Sequence, residues 1–432
     1  MTEAVVAAPK PPQPTSFPPP VARTLDWLQA QYGEWYARNP PPLPDRFTRR
    51  EFGFILWPER PGPPPFIRHR AYENADRFHH YLQRAGPHSV YYSTAYYRRP
   101  GEMKMADKQW LGAELIFDLD ADHLAEAEKA KAEGHEMPLG EQLALVKSQF
   151  KRLLDEFLFG DFGLSDKDVW ITFSGGRGYH AHVVEERLMQ LDGKGRREIV
   201  DYVTGKAPTE RGSAKPDLSL FITDKAVGVD GKGKFAKVTR QETMAPADTP
   251  GWPGRLTRAL VGTLRANVLE ADRAAAKKWL TSLDGVGPDG ATRFLDKFGA
   301  DMLERIANGK VDQGRVVRAI CHRILEQQAI PMAKGETDEP VTADTKRLIR
   351  LPGSLHGKSG LKVVTLTRDS LDQFEPLRDA VAFPMEPVRI VPRKDQEATL
   401  GGERVAVKGG EAVEVPMPHA VFWLARQGGT IA

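Results

Sequence analysis

Two aspartates spaced i, i+2 inside an apolar run, Glu114-Leu115-Ile116-Phe117-Asp118-Leu119-Asp120, constrain this chain more than any other feature. Side chains at i and i+2 of a β-strand point to the same face. Leu115, Phe117 and Leu119 then share a face that suits a core, and Asp118 and Asp120 stand together on the other. Neighbouring carboxylates repel each other and stay ionised side by side when a cation lies between them, which is the start of a Mg2+ or Mn2+ site. An isolated pair of this kind is also what a solvated strand end looks like, so its meaning depends on the rest of the chain.

Val169-Trp170-Ile171-Thr172-Phe173 reads as a second buried strand and runs into Ser174-Gly175-Gly176-Arg177-Gly178-Tyr179-His180-Ala181-His182-Val183-Val184. The three glycines permit a tight turn with close backbone approach. Backbone N–H groups, the Ser174 hydroxyl and the Arg177 guanidinium are expected to converge there on an anion, most naturally a phosphate. Beyond the turn the period is two again, with His180 and His182 on one face and Tyr179, Ala181 and Val183 on the other.

The third element is Asp338-Glu339-Pro340-Val341-Thr342, followed by Arg347-Leu348-Ile349-Arg350-Leu351-Pro352-Gly353-Ser354-Leu355-His356-Gly357-Lys358-Ser359-Gly360-Leu361. From Ala343 to Arg368 there are six Lys or Arg against one acid. The charges are interleaved with turn residues and adjoin the strand-like Leu361–Leu366, which favours a lined pocket over a solvated face. Three acids, a phosphate-type turn and a basic loop together describe metal-assisted nucleotidyl transfer.

The motifs FDLDAD, SGGRGYH and RLIRLPGSLHGKSGL resemble those of the catalytic small subunit of archaeal and eukaryotic DNA primase, the archaeal form most closely. Arg49-Arg50-Glu51-Phe52-Gly53-Phe54 and Phe66-Ile67-Arg68-His69-Arg70 also match, as do Val413–Pro416 and Ala420–Leu424 near the end. SGGRGYH belongs to the wider superfamily, which includes bacterial end-joining polymerases; LPGSLHGKSGL is more specific to the primase small subunit. The resemblance implies that Asp118, Asp120 and Asp338 bind catalytic Mg2+ or Mn2+. It further implies that Ser174, Arg177, His180, Arg350 and His356, together with Arg68, hold the triphosphate of an incoming NTP or dNTP, with Arg347 and Lys358 as electrostatic neighbours. A single-stranded DNA template and a primase large subunit, in a heterodimer, are the implied partners. Any iron–sulfur cluster must come from that large subunit, because this chain lacks the cysteines for one.

Family members commonly carry a Cys/His zinc-binding insertion after the paired-aspartate strand. Residues 121–160 contain no cysteine here and only His123 and His135, too few for a tetrahedral site, so no structural zinc is expected. The stretch reads instead as helical, with an apolar stripe from Leu139 to Leu158.

The chain has 432 residues, 41% of them hydrophobic, enough to bury a sizeable core. Its net charge of +3 is too small to imply nucleic-acid binding alone; the local basic clusters carry that argument. The single cysteine, Cys321, excludes an intramolecular disulfide and suits a reducing cytoplasm, and its helical surroundings suit a packed thiol. No apolar run approaches a membrane span. Residues 1–22, rich in proline, are expected to be a disordered tail. Strands expected at Phe52–Trp57, Val90–Ser93, Ala113–Leu119, Val169–Phe173 and His180–Val184 alternate with helices. The expected fold is therefore α/β (α+β): a mixed-sheet catalytic core of residues 23–204 and 336–432, interrupted by a mainly helical insertion at 205–335. Helical stretches there include Arg258–Leu280 and Gly314–Glu326, and Leu283–Gly290 is expected to be an interhelical loop.

Three functions compete. The first is template-directed synthesis of short RNA or DNA primers in DNA replication, with a related polymerase of end joining or lesion bypass as a variant. The second is a metal-dependent phosphohydrolase with His180 and His182 as ligands. The third is a non-catalytic nucleic-acid-binding subunit.

Overall fold

The computed structural model describes residues 16–124, 130, 133–134, 137–206, 223–230, 237–311 and 314–432. Residues 1–15 of the expected tail, and His135, lie outside them. The chain enters as a helix, Pro19–Arg38, four residues before the end of the expected tail. Proline is tolerated in a first helical turn, where its missing N–H breaks no helical bond. The chain divides into two units, Met1–Ser148 with Asp166–Arg196 and Asp338–Ala432, and Gln149–Ser165 with Arg197–Thr337.

The first unit contains two four-stranded antiparallel sheets. In one, β1 (Phe52–Ile55) lies between β2 (Phe66–Arg70) and β3 (Ser89–Ser93), and the strand Leu348–Arg350 adds to the other edge of β3. A short hairpin follows, β4 (Ala95–Tyr97) with β5 (Trp110–Ala113). In the second sheet, β6 (Leu115–Asp120) pairs with β8 (Gly178–Val183), β8 with β7 (Val169–Phe173), and β7 with Val364–Leu366. The register sets Asp118 opposite His180 and Asp120 opposite Gly178, with Thr172 on the far side of His180. Cross-strand neighbours share a face, so Asp118, His180 and Thr172 form one row. Leu115, Phe117, Leu119, Tyr179, Ala181 and Val183 are all buried on the opposite face, as their alternation requires.

A buried ionic network joins the two sheets. Arg50, two residues before β1, pairs with Glu114, immediately before β6, and both are only 1% exposed. Arg50 also donates to the carbonyls of Asp45 (2.9 Å) and Ser93 (2.8 Å) and to the Tyr96 hydroxyl (2.9 Å). Glu114 accepts from His182 Nδ1 at 3.0 Å. Arg196 closes the group by donating to the carbonyls of Glu114 and Ala113. Buried charges persist when their hydrogen-bonding capacity is filled in this way.

The unit ends in a three-stranded sheet with Pro387–Pro392 between Val413–Pro416 and Gly429–Ile431, a hairpin of Gln396–Leu400 with Glu403–Val407, and the apolar helix Met417–Leu424.

The described residues of the second unit are mainly helical, with Thr223–Asp230 paired antiparallel to Lys237–Thr243. It draws in residues 149–165, which the sequence groups with the core. The reason is packing: Phe157 meets the rings of Trp252 and Tyr202, and Arg255 bonds Glu156 (2.7 Å) and Asp161 (2.6 Å). The expected helix Arg258–Leu280 is two helices. The first begins at Gly251, and the second, Arg273–Thr281, restarts where the Asp272 carboxylate caps the N–H groups of Ala274 and Ala275. Leu283–Gly287 links that helix to Pro288–Leu295, a shorter interhelical loop than expected, because Pro288, Asp289 and Gly290 form the first turn of the next helix. Cys321 is buried on the helix Arg315–Ile324. Among the described residues no helix is long and apolar enough to cross a membrane.

Candidate active site

A cavity of about 800 Å3 opens in the first unit, within the range of small-molecule sites. One side carries Asp118 and Asp120 from β6 with His180 from β8. Ser174, Gly176 and Arg177 from the β7–β8 turn, and Arg347, Arg350, His356 and Lys358 from the basic loop, line the remainder, together with Tyr91, Gln142, Phe422 and Arg426.

Asp338 comes to this place through its backbone. Its N–H donates to the Asp118 carbonyl at 2.9 Å, and it precedes the short helix Glu339–Ala343, which packs on β6. The backbone of a residue more than two hundred positions away in sequence is thereby set beside that of Asp118, while Asp338 is not among the residues that line the cavity. Among the described residues no three His, Cys, Asp or Glu side chains stand in a metal-holding array. His180 Nε2 lies 3.6 Å from Asp118 Oδ1, and its Nδ1 is 3.3 Å from Thr172 Oγ1. Burial, reinforced by His182, Arg350 and Arg347, keeps the His180 ring well below the ordinary imidazole range, so it is neutral. Arg177 pairs with Asp122 and lies 3.9 Å from Asp120.

The glycine turn differs from expectation in one respect. The N–H groups of Gly176 and Gly178 both donate to Ser174 Oγ at 3.2 Å. These amides therefore close the turn and do not point at an anion, and the cationic wall is built from side chains. Gly175 makes the turn possible, because its φ of +75° is a left-handed value that a side chain disfavours. A Cβ at this position would also lie 2.7 Å from His356 Cβ. We expect Gly175→Ala to lower stability by roughly 1–3 kcal/mol and to displace His356 from the cavity wall; a thermal melt reads the loss.

Among the described residues no carboxylate pairs with Arg347, Arg350, Lys358 or Arg426. Arg350 lies 5.2 Å over the Tyr91 ring and donates to Ser89 Oγ at 3.2 Å. Arg426 stacks on Phe422 at 3.5 Å, and burial, with Arg177 nearby, brings its guanidinium down to about 10. Cations held together without anionic partners call for a multiply charged anion.

Arg68 does not line this cavity. β2 is bulged opposite β1, His69 has φ +61°, and Arg68 Nε and the His69 N–H both reach Glu51 Oε1 at 3.1 Å. Arg68 thus serves a buried carboxylate that Lys108 also pairs at 3.3 Å. His182 does not line it either: it is fully buried, stacked on Trp170 and bonded to Glu114. Tyr91, Gln142, Phe422 and Arg426 were not among the sequence candidates, since a lone arginine after an apolar helix carries neither periodicity nor a motif.

A family model described as DNA primase small subunit matches residues 117–368. The chain is 38% identical over 411 residues to the DNA primase small subunit PriS of Methanothrix thermoacetophila, covering 94% of this chain and 98% of that protein. It is 37% identical over 415 residues to PriS of Methanocella arvoryzae, with the same coverage of each. Against PriS of Methanococcoides burtonii identity is 33% over 408 residues, covering 94% and 97%.

Proposed function

The chain belongs to the DNA primase small-subunit family, and from that premise we infer that it is the catalytic subunit, joining nucleotides into short primers on a single-stranded DNA template during replication. One observation supports placing this chemistry here: a single cavity is lined by Asp118 and Asp120 and by four cations, Arg347, Arg350, Lys358 and Arg426, that have no carboxylate partner among the described residues. The acids suit the end where a hydroxyl attacks, and the cations suit the end where pyrophosphate leaves.

The donor set offered by Asp118, Asp120 and Asp338 is all oxygen, which fits a hard cation such as Mg2+ or Mn2+ and is a poor match for zinc. When bound, such ions would lower the pKa of the attacking 3′-hydroxyl and offset charge on the triphosphate. Arg350, with Tyr91 and Ser89 fixing its plane, and Arg177 would orient the phosphates for in-line displacement. His180, held neutral beside Asp118, adds no charge that would compete for the acids. Nearly all the catalysis asked of the protein is positioning and charge stabilisation. A large subunit, a nucleoside triphosphate and a cytoplasmic site of action complete the proposal.

The phosphohydrolase alternative needs His182 in the metal shell, and the bond to Glu114 and the stacking on Trp170 disfavour that. The test is incorporation of labelled nucleotide on single-stranded template with Mn2+. A polynucleotide product with release of pyrophosphate is expected; template-independent release of orthophosphate would overturn the reading. His356→Ala is expected to raise the nucleotide KM about tenfold or more, the equivalent of ~1.4 kcal/mol, with little change in template affinity. A pure kcat effect would contradict the phosphate-side role.

A further inference from the structure

Ser359 has a hydrogen-bond arrangement that limits what its neighbour His356 can do. The Ser359 hydroxyl donates to the Gly175 carbonyl, and its oxygen accepts the Leu361 N–H at 3.2 Å. A hydroxyl has one hydrogen, so toward His356 Nδ1, 3.0 Å away, Ser359 Oγ acts as acceptor and the ring proton sits on Nδ1. In the neutral ring Nε2 is then a bare lone pair. This nitrogen lies over the phosphate-side turn, where a Cβ added at Gly176 would be 2.9 Å from it. Bare nitrogen facing phosphate oxygen is repulsive.

We propose that Ser359 is a positioning residue that fixes the tautomer of His356, so that Nε2 donates to a nucleotide phosphate only when the ring takes up a proton. The inference rests on reading this cavity as a nucleotide site. The groups facing His356 are Arg350 from the strand before its loop, His88 ahead of β3, Arg426 after the C-terminal helix and Lys358 on its own loop. Arg177, Asp118 and Asp120 line the same cavity. Tyr32 and Tyr36 contact the backbone beside it, the Tyr32 hydroxyl donating to the His356 carbonyl and the Tyr36 oxygen accepting the Leu355 N–H. In the free protein, burial first and then these cations hold the ring well below its ordinary value. Arriving phosphates neutralise the cations and supply the acceptor, which raises it. Binding therefore draws a proton from solution, and affinity falls by up to about tenfold per pH unit between the free and bound values.

The experiment is calorimetric titration of the full chain with a non-hydrolysable nucleoside triphosphate and Mn2+, near neutral pH, in buffers of different protonation enthalpy. Wild type is expected to take up about one proton more per nucleotide than either Ser359→Ala or His356→Gln. In Ser359→Ala the neutral ring is free to carry its proton on Nε2, and in His356→Gln an amide donates without titrating. Any proton taken up by the phosphates themselves is common to all three proteins and cancels. Equal uptake in wild type and His356→Gln would overturn the proposal even if Ser359→Ala failed to fold, and so would undiminished uptake in a folded Ser359→Ala. Absence of any nucleotide binding by wild type would overturn the nucleotide reading and this inference with it.

Discussion

Asp120→Ala is expected to reduce primer synthesis by at least about a thousandfold, or ~4 kcal/mol of transition-state stabilisation, with the fold essentially intact. Asp120 shares a face of β6 with Asp118 and lines the cavity. It is half-buried, and its structural duties are small: its carboxylate accepts the Asp122 N–H at 3.2 Å and lies 3.9 Å from Arg177. Loss of that cap costs about 0.5–1 kcal/mol, and relief of repulsion from Asp118 offsets part of it. Chemistry and stability should therefore separate in this variant. Primer yield on single-stranded template, pyrophosphate release and a thermal melt measure the two sides. Synthesis within about tenfold of wild type would remove Asp120 from the reacting centre.

Arg50→Met is expected to have the opposite signature, costing about 3–5 kcal/mol of stability because it leaves Glu114 buried without its cation. Burial alone would raise the Glu114 carboxyl, but Arg50 and His182 more than compensate and hold it down at about 2. A carboxyl depressed in the folded state stabilises the protein fully above its unfolded value, near 4.5, and loses that contribution as pH falls toward 2. For wild type this term is on the order of 3 kcal/mol, lost across that acid window. In Arg50→Met the main compensation is gone and the carboxyl rises, so the variant is most destabilised near neutral pH, the Glu114 contribution to the acid limb vanishes or reverses, and the pH of greatest stability shifts toward acid. Denaturation midpoints between about pH 2 and pH 7 would show the shift. An unchanged acid limb would mean that the pair does not couple the two sheets energetically.

The contrast between these variants separates what was legible in the chain from what was not. Alternation in β6 and β8 placed Asp118 and Asp120 on one face and the apolar side chains on the other, because the period of two is a local property of an extended chain. The basic loop was legible for a similar reason, since cations dispersed among turn residues beside a strand have few other uses. The proximity of Asp338 to Asp118 was expected from shared chemistry and the family resemblance; a backbone bond joins the two residues, but Asp338 does not line the cavity. Residues 149–165 gave no local sign of leaving the first unit, because their association depends on Trp252 and Arg255 a hundred positions on.

By itself, the sequence determined which side chains share a face and which chemistry they could perform together, since strand alternation and charge depend only on near neighbours. Tertiary structure alone decided which donors and acceptors remained available. Arg68 turned to Glu51, Ser174 took the turn amides, His182 took Glu114, and Arg426 arrived at the cavity from the far end of the chain. The physical reason is that a polar group's role is set by whichever partner satisfies it first, and that partner usually comes from a remote segment.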